Sequence, residues 1–353
     1  MIQFKKTGLL IMTTAVLFAC KKEDVDPIII IAPSTGSELQ LSGLVGNEPG
    51  SSAGNSVFVD FSTDVQTAVE RKSWDLGFYT GTDFRVILNN TTSATAKGLS
   101  KNDLAAVNIA DTTGFNNLAL GFEAASMLLV DNVHGDLTKT VIASVSSIDA
   151  DNKVYIINRG TGGGTPARDW YKIRILRNTN GGYKLQYAKL AAAAFATIDV
   201  AKDADYNFKY VSFDNGVVNG EPVKTKWDIK WSYTMFETAL DPNTMIPYAS
   251  SDFISINTKA GVTAAEVLAS NNVSYENFSK ADANNITFSN TVDIISTKWR
   301  TASMNPGASK VKADRFYVIK DPSGNIYKLK FLSFHNDEGG TRGKPQLKYK
   351  LLQ

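Results

Sequence analysis

Apolar and polar residues alternate along most of the chain, and this pattern predicts a fold built mainly from β-strands. Short segments rich in Gly, Asn, Ser and Asp interrupt the alternation, as is typical of turns between strands. Two of the alternating segments flank Gly81 and predict a hairpin there. The segments predicted as strands are residues 38–44, 57–61, 74–78, 83–88, 141–145, 154–158 and 346–352.

Two polar segments have the residue types that tight hairpin turns require. Residues 178–182 read Asn-Thr-Asn-Gly-Gly, and Asn and Gly readily take positive φ angles. Residues 321–325 read Asp-Pro-Ser-Gly-Asn, with a Pro of fixed φ ahead of a Gly that can adopt the left-handed conformation. Each segment is therefore predicted to close a hairpin.

Helical spacing is confined to two short segments. Apolar residues between Leu118 and Leu129 recur at helical intervals, with Glu123 on the opposite side. A shorter helix is predicted at residues 264–269. We therefore expect each half of the chain to carry one small helix.

The chain contains the same series of segments twice. A Trp-Asp pair opens an alternating segment at Trp74 and again at Trp227. Residues 58–61 precede the first pair in the way that residues 210–213 precede the second. Further along, segments 173–176 and 183–187 match segments 316–319 and 327–331. Three matched blocks in the same order indicate an internal duplication.

A chain of 353 residues is long enough for two modules that each bury a core. The predicted fold class is all-β and mostly antiparallel, with two duplicated modules and one short helix in each. The modules are predicted at residues 38–192 and 193–353. Trp74 and Trp227 are expected to be core aromatic residues that support the fold.

The N-terminus is typical of a bacterial lipoprotein signal. Lys5 and Lys6 precede an apolar run, residues 8–18, that is too short to span a membrane as a helix. Leu17-Phe18-Ala19-Cys20 resembles a lipobox, whose cysteine is lipidated after the signal peptide, residues 1–19, is removed. Cys20 is the only cysteine in the chain, as expected for a lipid attachment site. An ordinary secretory signal followed by an incidental cysteine is the alternative.

Residues 20–37 are predicted to form a lipid-anchored tether. The tether begins Cys-Lys-Lys-Glu-Asp, and a Lys followed by acidic residues resembles the signal that sends Bacteroidota lipoproteins to the cell surface. A plain solvated tether is the alternative. The predicted location is the outer membrane, with the protein exposed at the cell surface and held by its lipid.

Charge and motif content exclude several classes of function. The 37 basic and 35 acidic residues nearly balance, so no nucleic-acid partner is implied. His134 and His335 are the only histidines and lack neighbours at metal-ligand spacing. The chain contains no nucleophile elbow, phosphate loop or dinucleotide fingerprint. We therefore predict that the protein is not an enzyme and that it holds no zinc site.

A family resemblance rests on these features together with the closing hairpin. From Arg315 to Phe331 the sequence reads Arg-Phe-Tyr-Val-Ile-x-Asp-x-x-Gly-Asn-Ile-x-Lys-Leu-x-Phe. With the lipobox and the Trp-Asp strand, this segment resembles the HmuY family of bacterial haem-binding lipoproteins. The resemblance is clearest from Tyr206 to the C-terminus and more diverged in the first module. It implies an all-β surface protein that captures haem and passes it to a TonB-dependent transporter in the outer membrane.

The resemblance also implies candidate haem ligands, because family members hold the iron with two axial His or Met side chains. Met304 occupies the position of the ligand that precedes the closing hairpin. Tyr275 is the only residue in segment 270–280 able to bind iron, and Met245 is a further candidate if its turn folds onto the site. Lys298 and Arg300 are expected to contact the propionates.

Ordinary structural roles also explain these residues, Met304 as a flexible loop residue and Tyr275 as a strand or loop aromatic. Two further functions therefore remain open. The protein can be a surface lipoprotein that binds a glycan, a peptide or a protein partner instead of haem. It can also be a structural surface protein in which the duplication provides reach.

Overall fold

The computed structural model describes residues 32–270 and 272–353, and residues 33–353 form one compact unit. The predicted signal peptide, Cys20 and most of the predicted tether lie outside the described residues. The strands are β1 (Gly36–Gln40), β2 (Asn55–Asp60), β3 (Val65–Glu70), β4 (Leu76–Tyr79), β5 (Val86–Leu88), β6 (Thr95–Gly98), β7 (Val154–Asn158), β8 (Tyr171–Arg177), β9 (Tyr183–Lys189), β10 (Ala196–Val200), β11 (Phe208–Ser212), β12 (Gly216–Val218), β13 (Ile229–Asp241), β14 (Thr244–Ile256), β15 (Thr263–Leu268), β16 (Arg300–Thr301), β17 (Lys310–Val311), β18 (Arg315–Lys320), β19 (Ile326–Ser333) and β20 (Gln346–Leu351).

Helical structure in the described residues is limited to segments of three to six residues. The one α-helix is α1 (Lys280–Ala283). The 3-10 turns are Gly50–Ser52, Arg71–Ser73, Asn90–Thr92, Ile109–Thr112, Asn116–Leu118, Ala124–Leu129, Leu137–Lys139, Asp149–Asp151, Gly162–Gly164, Lys224–Lys226, Thr258–Ala260 and Asn336–Glu338. The mostly antiparallel all-β class predicted from the sequence is confirmed.

The helices themselves differ from their predicted positions. Within the segment 118–129 predicted as a helix, the regular helical part is Ala124–Leu129, in the 3-10 conformation, because Asn116–Leu118 take positive φ angles that end any regular helix there. The helix predicted at residues 264–269 is wrong, since Thr263–Leu268 is strand β15 and pairs with β18. Burial of Ala264 and Ala265 in the sheet overrides the helix propensity of alanine. The α-helix begins instead after Ser279, which forms a capping box with Asp282.

The predicted strands mostly agree with the structure. The hairpin around Gly81 is β4–β5, and both predicted polar turns close hairpins, β8–β9 and β18–β19. The strand predicted at residues 141–145 is wrong. Ile142 and Val145 are buried there in irregular chain, where they cover a core without joining a sheet.

Four sheets account for most of the strands. Sheet 1 has the order β10-β9-β8-β7-β6, and sheet 2 has the order β12-β11-β4-β5. Sheet 3 has the order β14-β13-β2-β3, and sheet 4 has the order β1-β20-β19-β18-β15. The remaining strands, β16 and β17, pair only with each other.

Two hydrophobic cores lie between pairs of these sheets. Sheets 1 and 2 enclose a core that includes Phe78, Ile173 and Leu185. Sheets 3 and 4 enclose a second core that includes Trp231 and Tyr327. We refer to sheets 1 and 2 as the first half-fold and to sheets 3 and 4 as the second half-fold.

The two half-folds repeat the same strand order. Sheet 1 corresponds to sheet 4 when β10, β9, β8, β7 and β6 are matched to β1, β20, β19, β18 and β15. Sheet 2 corresponds to sheet 3 when β12, β11, β4 and β5 are matched to β3, β2, β13 and β14. Each half-fold therefore takes three strands from one sequence repeat and six from the other.

The strand orders also show that the predicted match between segments 173–176 and 316–319 is wrong. Strand β8 corresponds to β19, so Tyr-Lys-Ile-Arg-Ile-Leu at residues 171–176 aligns with Tyr-Lys-Leu-Lys-Phe-Leu at residues 327–332. The predicted boundary between residues 192 and 193 falls between β9 and β10. Strand pairing crosses that boundary, and the division of the chain into modules stays a prediction.

The duplicated Trp-Asp pairs hold the exchanged strands in place. Asp75 donates its backbone N–H to Val211 O and accepts the N–H of Phe213 on Oδ2, at 2.8 Å each. Asp228 makes the same two bonds to the other repeat, with Val59 O at 2.7 Å and the Phe61 N–H at 2.8 Å. The neighbouring tryptophans are buried, as predicted, and stack edge-on against aromatic residues of the other repeat.

Candidate functional site

The largest difference between the half-folds is the length of one hairpin. Strands β13 and β14 have 13 residues each, whereas their counterparts β4 and β5 have four and three. Only Ile229–Trp231 of β13 also pairs with β2. The rest of the β13–β14 hairpin extends beyond sheet 3 as a two-stranded ribbon, and the 3-10 turn Ala124–Leu129 contacts β14.

A groove of about 540 Å³ lies between this ribbon and the first half-fold. One wall consists of Met235 and residues 247–249 of the hairpin. The opposite wall is the loop 117–122, and the floor includes Thr95, Asn158 and the glycine-containing turn 160–162. We call this space the hairpin groove.

The loop that forms the opposite wall is strained. Asn116, Asn117 and Leu118 have φ angles of 46°, 54° and 49°, in the left-handed region. Such a conformation costs roughly 1–2 kcal/mol per residue and often accompanies a functional site. Thr95 Oγ1 donates to Leu118 O at 2.8 Å, and Asn158 Nδ2 donates to Asn117 O at 3.1 Å. Groove-lining side chains therefore hold the loop in this conformation.

The side chains of the hairpin groove are apolar, aromatic or amide-bearing. Phe122 is 78% exposed and Tyr248 is 48% exposed, although both are large rings. Met235 is only 5% exposed and lies in the wall. Among the described residues that line the groove, none carries a full charge at neutral pH. Lys97, two residues beyond Thr95 on β6, places its ammonium 4.3 Å from the ring centre of Phe115.

The other three cavities are smaller, with volumes of about 150, 130 and 250 Å³. Sites for organic ligands usually have roughly 300–1,000 Å³. The hairpin groove is the one of the four that falls within this range, and a porphyrin needs a site of that size. Its thioether and phenol side chains belong to the groups that can ligate haem iron. The groove therefore fits haem in size and in the chemistry of its donors.

The haem-ligand candidates from the sequence lie in different surroundings. Met304 is 101% exposed in the turn between β16 and β17. Tyr275 is buried against Phe316, and burial raises the pKa of its hydroxyl, which disfavours the phenolate. Met245 pairs with Ala239 near the tip of the long hairpin. None of the three lines any of the four cavities, and ligation of iron by them stays a prediction.

The two propionate candidates already have partners within the protein. Lys298 donates to Ile294 O at 3.1 Å from an exposed position. Arg300 lies 3.7 Å from the buried carboxylate of Asp252 and stacks over Phe334 at 5.6 Å. Contact between these residues and a propionate also stays a prediction.

His134 connects a loop of the first half-fold to the long hairpin. Its Nε2 lies 3.0 Å from Glu237 Oε1, and its Nδ1 lies 3.1 Å from Asp293 Oδ2. Burial lowers the pKa of His134, but the hydrogen bonds to Asp293 and Glu237 outweigh it and raise the pKa above its usual value. Both ring nitrogens of His134 thus already have partners, and one of these, Glu237, lies on the long hairpin.

One pattern in the sequence indicates the long hairpin of this site. Alternation continues on both sides of Asp241-Pro242-Asn243, over residues 229–256, and such long paired segments indicate a long hairpin. Met235 lies in the first of them. No sequence signal indicated that loop 117–122 lies opposite, because β6 brings it there through contacts distant in sequence.

The comparison with known protein families decides the assignment. The HmuY family profile matches residues 52–349, most of the chain. The chain belongs to the HmuY family. This family is known for haem binding, is non-enzymatic, and consists of extracellular or surface proteins. Searches of curated proteins and of solved structures returned no match.

Two kinds of feature are absent from the described part of the chain. Across residues 32–270 and 272–353 there is no group of three or more His, Cys, Asp or Glu side chains placed to hold a metal ion. In the same part of the chain no helix has the length and apolar character needed to cross a membrane.

Proposed function

We propose that this HmuY-family protein is a non-enzymatic surface lipoprotein that binds haem in the hairpin groove. The groove, about 540 Å³ and lined by apolar and aromatic side chains beside a methionine, is the observation that supports this proposal most strongly. Haem capture would then precede transfer to a TonB-dependent transporter of the outer membrane. Cys20 would carry the lipid that anchors the chain.

The chemistry of the groove assigns roles to its residues. The porphyrin would lie against Phe122 and the backbone of loop 117–122, which together offer an apolar surface. Met235, and Tyr248 as the alternative, would supply an axial ligand from the hairpin. Lys97 lies on the same strand face as Thr95 and is the cation best placed for a propionate. The two sides of the groove would thereby hold opposite faces of the ring.

A glycan is the second candidate ligand. The exposed rings of Phe122 and Tyr248 lie in a groove that also presents the amides of Asn117 and Asn158. Aromatic faces combined with neutral hydrogen-bonding groups suit a sugar, and the uncharged lining suits it as well.

A visible-absorption titration with haem tests the proposal and locates the ligand. We expect saturable haem binding by the wild type and a loss of affinity of about tenfold or more in Met235→Leu, a change worth 1.4 kcal/mol or more. Met304→Leu and Met245→Leu are matched controls, because each removes a thioether outside the groove. If Met304→Leu weakens binding and Met235→Leu does not, the ligand assigned from the sequence is the correct one and the hairpin groove is not the haem site.

A further inference from the structure

A second site lies between the two half-folds, apart from the hairpin groove. Sheets 2 and 3 face each other there across two adjoining cavities of about 150 and 130 Å³. The cavities share a wall that includes Phe208, Lys230 and Lys259. We call this pair of spaces the central cavity. Met235 separates it from the hairpin groove, since its side chain lines both.

Lys230 is the unusual residue of the central cavity. It lies on β13 between Ile229 and Trp231, which point into the core of the second half-fold, so its side chain points the opposite way, towards sheet 2. The equivalent position in the first half-fold is Gly77. The Lys230 ammonium makes no hydrogen bond and no ion pair with any residue in the described ranges 32–270 and 272–353. Lys230 is half-buried on β13, and burial of its amine lowers its pKa.

The carboxylates of the cavity are already engaged elsewhere. Glu221 accepts the backbone N–H groups of Asn207 and Phe208, each at 2.8 Å, and burial raises its pKa to about 7. Asp131 accepts the N–H groups of Leu88 and Val141 at 2.6 and 2.9 Å, and burial raises its pKa to about 6. Both groups accept backbone N–H groups. The charge of Glu221 attracts Lys230 and partly offsets the lowering of its pKa, but neither carboxylate forms a direct ion pair with the Lys230 ammonium.

The remaining walls suit an aromatic ring. The two duplicated tryptophans, Trp74 and Trp227, line one part of the cavity together with Phe58 and Tyr210. A cavity of roughly 150 Å³ accepts one benzene-sized ring. Lys259, which is exposed, lies at the edge of the cavity with its ammonium 3.5 Å from Gly135 O. The cavity thus combines an aromatic interior with the Lys230 ammonium, which has no direct ion pair, and the Lys259 ammonium at its edge.

We propose that the central cavity binds a small aromatic monocarboxylate, with Lys230 pairing its carboxylate and the tryptophans contacting its ring. The site is distinct from the haem site proposed above and uses different residues, apart from the shared wall at Met235. It owes its existence to the duplication, because neither half-fold alone encloses it.

Benzoate and its neutral counterpart benzyl alcohol are the probes that test this proposal. In calorimetric titrations of the soluble chain, residues 23–353, we expect benzoate to bind saturably and at least about tenfold more tightly than benzyl alcohol, as for a charge-assisted hydrogen bond. Lys230→Met should remove that preference. Lys226→Met is the matched control, since Lys226 is exposed four residues earlier and should leave benzoate binding unchanged.

Equal affinities of the wild type for benzoate and benzyl alcohol would overturn the proposal, as would the absence of saturable benzoate binding. Retention of the preference by a folded Lys230→Met protein would overturn the role of the amine. If that variant does not fold, Lys230→Arg tests the role of the positive charge and should keep the preference for benzoate. The two wild-type titrations test the proposal in either case. Haem titration is independent of all these outcomes, because the hairpin groove contains neither lysine.

Discussion

Asp75 and Asp228 have the same backbone role in the two half-folds, yet their surroundings differ. Arg159 forms a two-pronged ion pair with Asp75, with N–O distances of 2.7 and 2.9 Å, and both side chains are buried. Strand β18 ends at Lys320 where β7 ends at Asn158, so the residue equivalent to Arg159 is Asp321. Asp228 therefore has two acidic neighbours, Asp60 and Asp321, whose charges raise its pKa in addition to burial.

The pH dependence of stability follows from this difference. Burial raises the pKa of Asp228 from 3.8 to about 7, so the folded state holds a proton that the unfolded state has already lost. Stability from this group is therefore present below about pH 4 and declines as the pH rises to about 7. Asp228→Asn should raise the free energy of unfolding by on the order of 2–4 kcal/mol at pH 8 and change it little at pH 4. Denaturant unfolding at both pH values measures the effect.

Asp75→Asn is the matched control, at the equivalent position of the other half-fold. It breaks a buried ion pair and leaves Arg159 without its main partner, which should cost about 3 kcal/mol or more at pH 8. The two substitutions are thus expected to change the free energy of unfolding at pH 8 in opposite directions. Destabilisation of the protein by Asp228→Asn at pH 8 would mean that Asp228 is charged and stabilising there.

The sequence predicted burial correctly for residues whose side-chain type by itself favours the core. Trp74 and Trp227 were expected in the core and are buried. The haem-ligand candidates depended on spacing relative to a family motif, and Met304 lies in an exposed turn. Spacing along the chain cannot reveal which loops converge, so it did not indicate that Met235 and loop 117–122 line the same groove.

At the scale of single elements, the long hairpin is the feature on which the proposed haem site depends most. Beyond Trp231 its first strand has no sheet neighbour other than β14, so its hydrogen bonds are more accessible than those of the core strands. His134 connects this ribbon to the first half-fold through Glu237 and sets its position over the groove. The hairpin is therefore expected to open locally without global unfolding.

Replacing His134 tests how the hairpin is held. Because its pKa is raised, the imidazolium bonds to Glu237 and Asp293 are fully present at pH 5.5 and are lost as the pH rises through the folded-state pKa. His134→Ala should therefore speed hydrogen exchange of residues 234–250 more at pH 5.5 than at pH 8.5, after correction for intrinsic rates. Thr138→Ala, in the same loop region, is the control. An equal effect of His134→Ala at both pH values would mean that the charge on His134 does not help to hold the hairpin.

The sequence predicted most strands but not all of the helices, for a physical reason. Alternation reflects a buried and an exposed face, and β20, with the sequence Gln-Leu-Lys-Tyr-Lys-Leu, has this pattern in its own sequence. Residues 264–268 contain two alanines and a glutamate, which favour a helix locally. Pairing with β18 determines their conformation, and that pairing depends on residues more than 40 positions away.

At the scale of the whole molecule, the exchange of β1–β3 and β10–β12 makes the two repeats interdependent. A fragment of residues 38–192 contains β1–β3 without their partners in sheets 3 and 4 and lacks β10–β12. A fragment of residues 74–223 contains all of β4–β12 and the core of the first half-fold. Sequence repetition alone cannot distinguish these arrangements, because either copy can supply the strands.

Expression of the two fragments tests this arrangement. We expect the 74–223 fragment to be a monomer that unfolds cooperatively. The 38–192 fragment should not form a stable monomer, since its exposed sheet edges and unpaired strands favour dimers or aggregates. Circular dichroism melting and size-exclusion chromatography measure both properties. A monomeric, cooperatively folded 38–192 fragment would show that the repeats fold as contiguous modules.

Blocking the hairpin groove with a large side chain tests whether haem binds there. A Cβ at Gly121 would meet only the Glu123 side chain, at 3.4 Å or more, so Gly121→Trp can fill the groove without disturbing the core. Gly46→Trp fills a cavity elsewhere, where a Cβ would meet only Glu48 at 3.7 Å. The measurement is a haem titration of the three soluble proteins, followed by visible absorption. We predict one haem per chain for the wild type and Gly46→Trp, and loss of that site in Gly121→Trp. Undiminished binding by Gly121→Trp would contradict the account.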